Sequence, residues 1–292
     1  MSSKKKKNVE HFKPLKAYNN PDFLNSPAAR TVRVMTEMVE PADRFRRHNV
    51  WNTVVFFGSA RTLPKSEAEQ KLRESKSKLK HKPSSKKLRA EFEQAERDLI
   101  MSRYYEDASQ LAEKLTTWFD ETDTQNRRFL VCTGGGPGIM EAANRGAKKA
   151  GGHSVGLNIS LPFEQYPNRY QTRDLSFEFH YFFIRKFWFF YLAKALVVFP
   201  GGFGTLDEFF ELLTLIQTGK SKKHMPVVLY GADYWNKILN IEEMAKWGVI
   251  DPADLKLFKT CNNVDEAFEY LKKEITKHHL KPFAKARRNR KK

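Results

Sequence analysis

Short runs of apolar residues alternate along this chain with segments in which apolar residues recur every three or four positions. The runs predict buried strands, and the recurring pattern predicts helices that turn one face to a core. Their alternation is typical of βαβ units, which build a parallel sheet. The pattern predicts strands at 53–57, 129–132, 154–158, 195–199 and 226–230, and helices at 138–150, 181–193, 205–216 and 233–246.

The N-terminal part of the chain is predicted to become helical after a polar start. Residues 1–24 have the composition of a disordered basic tail. Ser26-Pro27 is typical of a helix start, with proline at the first helical position, and Pro41 predicts the end of that helix. A second short helical stretch, 42–48, then leads into the first strand.

A charged segment separates the first strand from the second. Residues 65–100 are rich in charges and in helix-forming residues, with a break at 82–85, and predict either a helical hairpin or one long exposed helix. The helix that follows, at about 102–118, carries its apolar residues on one face. A last helix over 265–278 precedes a second basic tail, 281–292.

These elements predict one α/β domain over residues 25–280. Its centre is a single Rossmann-like doubly wound parallel sheet with helices on both faces. The domain carries an N-terminal helical extension and the charged helical insertion at 65–100. A chain of 292 residues, 40% of them apolar, is long enough for one such domain with a sizeable core.

Three predicted strands end in turns that contain glycine. The first turn, Gly58-Ser59, is the weakest signal; the others are the 134–138 turn, Gly134-Gly135-Gly136-Pro137-Gly138, and the 201–205 turn, Gly201-Gly202-Phe203-Gly204-Thr205. Glycine lets backbone N–H groups approach an anion, and a helix N-terminus adds positive potential. Because parallel strands end at one edge of the sheet, the turns predict a phosphorylated ligand there. Their spacings match neither the dinucleotide motif nor the P-loop, which argues against NAD and ATP hydrolysis.

Cysteine usage and the apolar stretches bear on the compartment. The two cysteines, Cys132 and Cys261, provide no disulfide framework, which is typical of a cytoplasmic protein. The lysine-rich N-terminus is not followed by the apolar stretch of a secretory signal. The long apolar stretch 182–199 contains three basic residues and runs into the 201–205 turn, so it predicts a buried helix and strand and no membrane span.

The net charge of +18 is concentrated in residues 1–16, 65–104 and 272–292. These segments are predicted to be solvated, and they lack the regular interleaving of aromatic residues with charges that is typical of stacking on bases. Contact of the tails with nucleic acid stays open as an alternative. No spacing of histidines, cysteines and acids is typical of a zinc site, and His278-His279 is predicted to lie in the solvated tail.

The residues around these turns resemble the Lonely Guy family, in particular its longer bacterial branch. The resemblance covers about residues 50–250 and rests on a joint pattern that is far more specific than one glycine turn. The matching motifs are Phe57-Gly58-Ser59-Ala60-Arg61, Gly134-Gly135-Gly136-Pro137-Gly138-Ile139-Met140, Leu161-Pro162-Phe163-Glu164, Arg185-Lys186, Pro200-Gly201-Gly202-Phe203-Gly204-Thr205-Leu206-Asp207-Glu208 and Leu213-Thr214.

The resemblance implies hydrolysis of the N-glycosidic bond of a nucleoside 5′-monophosphate, either AMP or a cytokinin riboside monophosphate, to free base and ribose 5-phosphate. It also implies a homodimer or larger assembly, with no metal and no cofactor. It gives Arg185 and Glu208 as the catalytic residues. Together with the glycine turns, it gives as substrate-binding residues Gly58, Ser59, Gly134, Gly135, Gly136, Gly138, Glu141, Glu164, Lys186, Gly201, Gly202, Phe203, Gly204, Thr205, Leu206, Asp207 and Thr214.

Two other functions stay open: a protein that binds a phosphorylated ligand without turnover, and a nucleic-acid-associated protein that uses its basic tails. Glu208 and Arg185 favour catalysis, because binding alone needs only the glycine turns. The family often has Met-His where this chain has Phe182-Phe183, so the resemblance does not give the preferred base. Seven aromatic residues within 182–191 independently favour a second subunit, since one sheet cannot cover them all.

Overall fold

The computed structural model describes residues 13–122, 128–161 and 166–280, and within these ranges one parallel sheet lies between two layers of helices. The strands of the sheet are β1 (Val50–Phe57), β2 (Arg128–Thr133), β3 (Ser154–Ile159), β4 (Ser176–Phe179), β5 (Ala193–Val198), β6 (Val227–Tyr230) and β7 (Lys259–Cys261). The α-helices are α1 (Pro21–Asn25), α2 (Arg30–Arg47), α3 (Lys65–His81), α4 (Lys86–Thr122), α5 (Ile139–Lys149), α6 (Phe182–Tyr191), α7 (Phe203–Gln217), α8 (Ala232–Ile238), α9 (Ile241–Lys246) and α10 (Val264–Ile275).

The order of the strands explains where a ligand can bind. The sheet runs β4-β3-β2-β1-β5-β6-β7, and every neighbouring pair is parallel. The chain moves outward from β1 to β4 and then crosses back, so that β5 pairs with the other side of β1. A crevice forms at such a reversal, outside the carboxyl ends of the strands. The reversal lies between β1 and β5, each of which ends in a glycine turn.

Alternating side chains of the strands pack against helices on both faces, which confirms the predicted doubly wound α/β fold. Val54 and Phe56 of β1 belong to the core beneath α4, α5 and α10. Val55 and Phe57 belong to the opposite core, beneath α2, α6, α7 and α8. Strands that are buried on both faces have continuous apolar runs in their sequence, and β1 and β5 show this pattern.

Helix α2 continues through Pro41, where the sequence predicts its end. Proline has no N–H, so the carbonyl of Glu37, one turn earlier, loses its helical donor. The indole Nε1 of Trp188 on α6 donates to that carbonyl oxygen at 2.9 Å. The Glu37 carboxylate in turn accepts from the backbone N–H groups of His180 and Tyr181, just before α6 begins. A tertiary contact therefore compensates for the proline and joins α2 to α6.

Other boundaries also differ from the sequence prediction. The charged insertion is a hairpin of α3 and α4 with its break at residues 82–85, and α4 continues without interruption through the predicted helix 102–118. The helix predicted over 233–246 is divided into α8 and α9, and the predicted tail boundary at residue 25 falls inside α1. No helix within the described ranges is both long and apolar enough to cross a membrane.

Candidate active site

A cavity of about 570 Å³ opens at the carboxyl ends of β1 and β5, where the order of strands reverses. It collects residues from the turn after β1, from α5 and α6, and from the 201–205 turn with the start of α7. The lining residues are Phe57, Gly58, Ser59, Ala60, Arg61, Met140, Phe182, Arg185, Gly202, Phe203, Gly204, Thr205, Asp207 and Glu208.

The 201–205 turn leaves open space at the N-terminus of α7. A Cβ added at Gly202 or Gly204 would meet no described heavy atom within 4 Å. No side chain among the described residues caps α7, whose N-cap is Gly202. The first N–H groups of a helix have no intrahelical partner, and the helix dipole adds positive potential there. This end of α7 is therefore suited to an anion at the cavity wall.

Ser59 connects the three glycine turns through its backbone. Its N–H donates to the carbonyl of Pro200 at 2.9 Å, and its carbonyl accepts from the N–H of Ile139 at 3.1 Å. A Cβ at Gly58 would lie 2.7 Å from the Ile139 side chain. The turn after β1 thus sets the distance between the start of α5 and the 201–205 turn.

Glu208 lies on the second turn of α7 and is 5% exposed. Its Oε2 atom has no hydrogen-bond partner in the described part of the chain. Burial raises the pKa of Glu208 to about 7, although Lys186 and Arg185 oppose the shift. A buried carboxyl at a cavity, with an oxygen that no described residue satisfies and a pKa near neutrality, is typical of a functional group.

Arg185 enters the cavity from α6. Its Nε donates to the carbonyl of Leu157 on β3 at 2.7 Å, and its guanidinium lies over the Phe189 ring, 4.9 Å from the centroid. Burial lowers the pKa of Arg185, and the charge of Glu208 opposes this effect. A cation and an acid thus face the same cavity from two helices.

Lys186 fastens α6 to α7. Its Nζ lies 2.8 Å from Asp207 Oδ2 and 2.7 Å from Glu211 Oε2. Partial burial disfavours the charged amine, but the hydrogen bonds that it donates to these two carboxylates raise the pKa of Lys186 on balance. Lys186 is therefore an ion-paired residue beside the cavity, and it holds the helix that carries Glu208 against the helix that carries Arg185.

The 134–138 turn is filled by protein atoms. The Asn168 side chain donates to the carbonyls of Gly135 and Gly136, at 3.0 Å each, and the Gln171 side chain donates to Gly135 at 2.6 Å. Gly138 has a φ of +70° and packs on the turn after β1. This turn therefore supports the site from behind, through Met140 and through the space that Gly134 leaves for Arg185.

Several residues named from the sequence make their contacts away from the cavity, and one lies outside the described residues. Glu141 accepts from the Tyr105 hydroxyl at 2.8 Å, and the Thr214 hydroxyl donates to the carbonyl of Phe210 within α7. Leu206 packs on the apolar core, and Glu164 lies outside the described residues. The cavity places the other named residues, apart from Lys186, Gly201 and the 134–138 turn, along its wall.

Five residues of the cavity wall are not among the site residues named from the sequence: Phe57, Ala60, Arg61, Met140 and Phe182. Arg61 is exposed and has no ion pair with any described residue, so its guanidinium is available to a ligand. All five lie within motifs or beside residues that the sequence singles out. The signal was present in the order of residues, but only the fold shows which of them face the cavity.

A family model and several curated relatives match this chain. A family model described as "Possible lysine decarboxylase" matches residues 140–271. The cytokinin riboside 5′-monophosphate phosphoribohydrolase LOG5 of Arabidopsis thaliana is 28% identical over 176 residues, which cover 58% of this chain and 70% of that protein. The cytokinin riboside 5′-monophosphate phosphoribohydrolase of Rhodococcoides fascians is 32% identical over 141 residues, which cover 47% and 70%.

Solved structures also show similarity. The structure of the Moco carrier protein from Chlamydomonas reinhardtii aligns with 77% of this chain and 98% of its own, at 17% identity and a TM-score of 0.43.

Proposed function

This chain belongs to the Lonely Guy family of phosphoribohydrolases, and from that premise we propose that it hydrolyses the N-glycosidic bond of a nucleoside 5′-monophosphate. The products are the free base and ribose 5-phosphate, and the substrates are AMP or a cytokinin riboside monophosphate. One observation carries the proposal: the buried carboxyl of Glu208, whose Oε2 has no hydrogen-bond partner among the described residues, faces the same cavity as Arg185 and the open N-terminus of α7.

The 5′-phosphate is assigned to the N-terminus of α7. Gly202 and Gly204 leave room for it, and the first N–H groups of the helix supply donors. The exposed Arg61, which also lines the cavity, supplies positive charge and bidentate hydrogen bonding. A phosphate fixed at this point holds the ribose at a constant position relative to Glu208.

Glu208 is assigned to the ribose. Cleavage of a glycosidic bond passes through a transition state with positive charge on the sugar, which a nearby carboxylate stabilises. The same carboxylate can orient the attacking water. The low exposure of Glu208 strengthens the interaction, because little solvent screens it. Arg185 is assigned to an oxygen of the substrate, opposite Glu208.

The base is assigned to the apolar part of the wall. Met140, Phe182 and Phe203 line the cavity, and Phe203 is 93% exposed on the first turn of α7. An exposed aromatic ring at a cavity mouth offers a flat surface for a purine. Phe182 and Phe183 occupy the positions where the family often has Met-His, so the preferred base is a matter for measurement.

Lysine decarboxylation is not favoured by the site. A pyridoxal phosphate enzyme needs a lysine that readily loses its proton to form a Schiff base. Lys186, beside the cavity, has the opposite character, because Asp207 and Glu211 raise its pKa.

The proposal is tested by base release. Purified protein is incubated with AMP, GMP, CMP, isopentenyladenosine monophosphate and adenosine, and free base is measured by chromatography. We expect release from at least one monophosphate and little from adenosine, because adenosine lacks the 5′-phosphate that would bind at the N-terminus of α7. Equal rates with AMP and adenosine would contradict the assigned phosphate site. Binding of a monophosphate without release would favour the ligand-binding alternative, and salt-sensitive binding to nucleic acid alone would favour the third function.

We also propose a homodimer or larger assembly. Helix α6 buries Ile184, Trp188 and Phe189, but Phe182, Phe183, Phe187 and Tyr191 are each between 38% and 60% exposed. An aromatic surface of this kind is seldom left in solvent. Light scattering at micromolar concentration should give a mass of at least twice 34.1 kDa. A fully active species with the mass of one chain would contradict this assembly.

A further inference from the structure

A group of three potential metal ligands lies outside the lining of the cavity that holds Glu208 and Arg185. His224 precedes β6, Glu274 is on the last turn of α10, and His278 follows it. Glu274 Oε2 lies 2.9 Å from His224 Nε2 and 3.6 Å from His278 Nε2. We call these three residues the histidine cluster. Its three potential ligand atoms all lie within 4.8 Å of one another.

The cluster holds a buried polar atom without a hydrogen bond in the described part of the chain, although an acid oxygen lies at ion-pair distance from it. His278 Nε2 is buried without a hydrogen-bond partner among the described residues. The His278 ring is stacked on the His224 ring with the centroids 3.6 Å apart, and both Nε2 atoms approach one oxygen of Glu274. A buried imidazole nitrogen without a partner costs free energy unless a proton donor or a cation fills the place beside it.

The surrounding structure fixes the cluster in place. The chain leaves α10 through a π-helical turn, Thr276–Leu280, and such turns often occur at functional sites. His279, on the same turn, donates from Nε2 to the carbonyl oxygen of His224 at 2.7 Å, which anchors the backbone of one ligand.

We propose that His224, Glu274 and His278 form a binding site for a transition-metal ion of the zinc class. Tetrahedral zinc bound at about 2.0–2.1 Å places its ligand atoms roughly 3.3 Å apart. The two distances to the carboxylate oxygen, 2.9 and 3.6 Å, lie on either side of that spacing, and all three ligand atoms lie within 4.8 Å of one another. Binding requires the two stacked rings to rotate out of their contact, so that both Nε2 atoms point at one ion. His224 is exposed, which leaves a fourth position for water.

The donor set selects the class of metal. Calcium and magnesium need several oxygen ligands, and the cluster offers one carboxylate. Lys194 and Lys277 add positive charge near the histidines. This charge repels a cation that is held mainly by electrostatic attraction, such as calcium or magnesium. Two imidazoles bind zinc, nickel and copper well even without a strongly negative site. The ion would fasten the end of α10 to the segment that leads from α7 to β6.

The test uses the untagged full-length protein, because an added histidine tag would bind metal itself. Zn²⁺ is titrated against a chromophoric chelator, and Co²⁺ is added in a parallel experiment to record its visible spectrum. We expect one Zn²⁺ per chain with a dissociation constant on the order of micromolar. We also expect the absorption bands of tetrahedral Co²⁺ and a rise of several degrees in melting temperature with excess zinc.

His224→Ala, His278→Ala and Glu274→Gln should each weaken zinc binding by at least about tenfold. The matched control is His81→Ala, which removes an exposed histidine at the tip of the α3–α4 hairpin and should bind as the wild type does. Circular dichroism establishes that each variant folds. The absence of zinc binding by the folded wild type, or full binding by both histidine variants, would overturn the proposal. If a variant does not fold, the wild-type Co²⁺ spectrum decides, because a spectrum of hydrated Co²⁺ would also overturn it.

Discussion

The 134–138 turn and the 201–205 turn have similar sequences and opposite surroundings. Both follow a buried strand, both are rich in glycine, and both lead into a helix. In the 134–138 turn a Cβ at Gly135 would lie 1.9 Å from Asn158 Oδ1, and a Cβ at Gly138 would lie 2.2 Å from the backbone oxygen of Ser59. At Gly202 and Gly204 a Cβ would meet open space among the described residues.

The difference shows that glycine serves two purposes here. In the 134–138 turn glycine is required by protein packing and by the positive φ of Gly135 and Gly138. In the 201–205 turn two glycines satisfy no steric need of the protein itself. We interpret their open space as room for a ligand, since the N–H groups of α7 begin there. A glycine motif therefore identifies a ligand site only where the fold leaves its Cβ positions empty.

The largest expected effect concerns the helix that follows the open turn. Glu208→Gln should lower turnover by about 100-fold or more, because it removes the negative charge that stabilises the sugar in the transition state. Base release under saturating monophosphate measures the effect. Glu211→Gln is the matched control on the same helix and should keep most of the activity, since Lys186 retains Asp207 as a partner. Near-wild-type turnover in Glu208→Gln would remove Glu208 from the mechanism.

The Glu208→Gln variant should also be more stable at pH 8. Burial raises the pKa of Glu208 to about 7, so the folded state holds this proton more tightly than the unfolded chain does. The wild type therefore loses stability as pH rises from about 4.5 to about 7, by an amount on the order of 3 kcal/mol. Urea unfolding of both proteins at pH 8 measures the difference, and a less stable glutamine variant would contradict the assigned burial cost.

A pair of glycine substitutions tests the comparison directly. Gly138→Ala should destabilise the fold by about 3 kcal/mol, because it combines a positive φ with a clash against backbone. Gly204→Ala should leave stability unchanged or raise it by roughly 0.5–1 kcal/mol, because alanine favours the helix. It should raise KM for the monophosphate, because the methyl group enters the proposed phosphate space. Similar losses of stability in both variants would show that the two turns do not differ in this way.

Gly134→Ala should show that the packed turn acts through Arg185. A Cβ at Gly134 would lie 2.6 Å from Arg185 Nη2 and 2.7 Å from Met140 Sδ, so the guanidinium must move. We expect kcat/KM to fall by about tenfold, with a much smaller additional loss when Arg185 is already alanine. A double-mutant cycle with Arg185→Ala measures this coupling. Additive effects would mean that Gly134 supports the fold without positioning Arg185.

The smallest effect concerns pH. If ionised Glu208 is the active form, kcat/KM should rise with pH, pass its midpoint near 7 and then level off, since burial raises the pKa of Glu208 to about 7. Activity at pH 6 should be about one tenth of the plateau. The residual activity of Glu208→Gln should lack this rise. If kcat/KM of the wild type does not change between pH 6 and 8, the group that controls activity does not have a pKa near 7.

Much of the fold follows from local pattern. Continuous apolar runs such as β1 and β5 are typical of strands buried on both faces, and their alternation with helical segments indicates a parallel sheet. Strands β4 and β7 were missed because they are short and lie at the edges. Helix α2 was predicted to end at Pro41 because its continuation depends on Trp188, which lies far away in the chain.

The candidate site follows the same division. The order of residues singled out both glycine turns, because a glycine-rich turn between a strand and a helix is a local pattern, and the resemblance to the family added Arg185 and Glu208. It did not show that one turn is packed and the other open, because Asn158, Asn168 and Gln171 reach the 134–138 turn from other segments. Nor did it pair His224 with His278, since β6, β7 and α10 must fold before these rings meet. Sequence determined which residues have the chemistry, and tertiary structure decided which of them face a cavity, a neighbour or each other, because those distances are set by elements far apart in the chain.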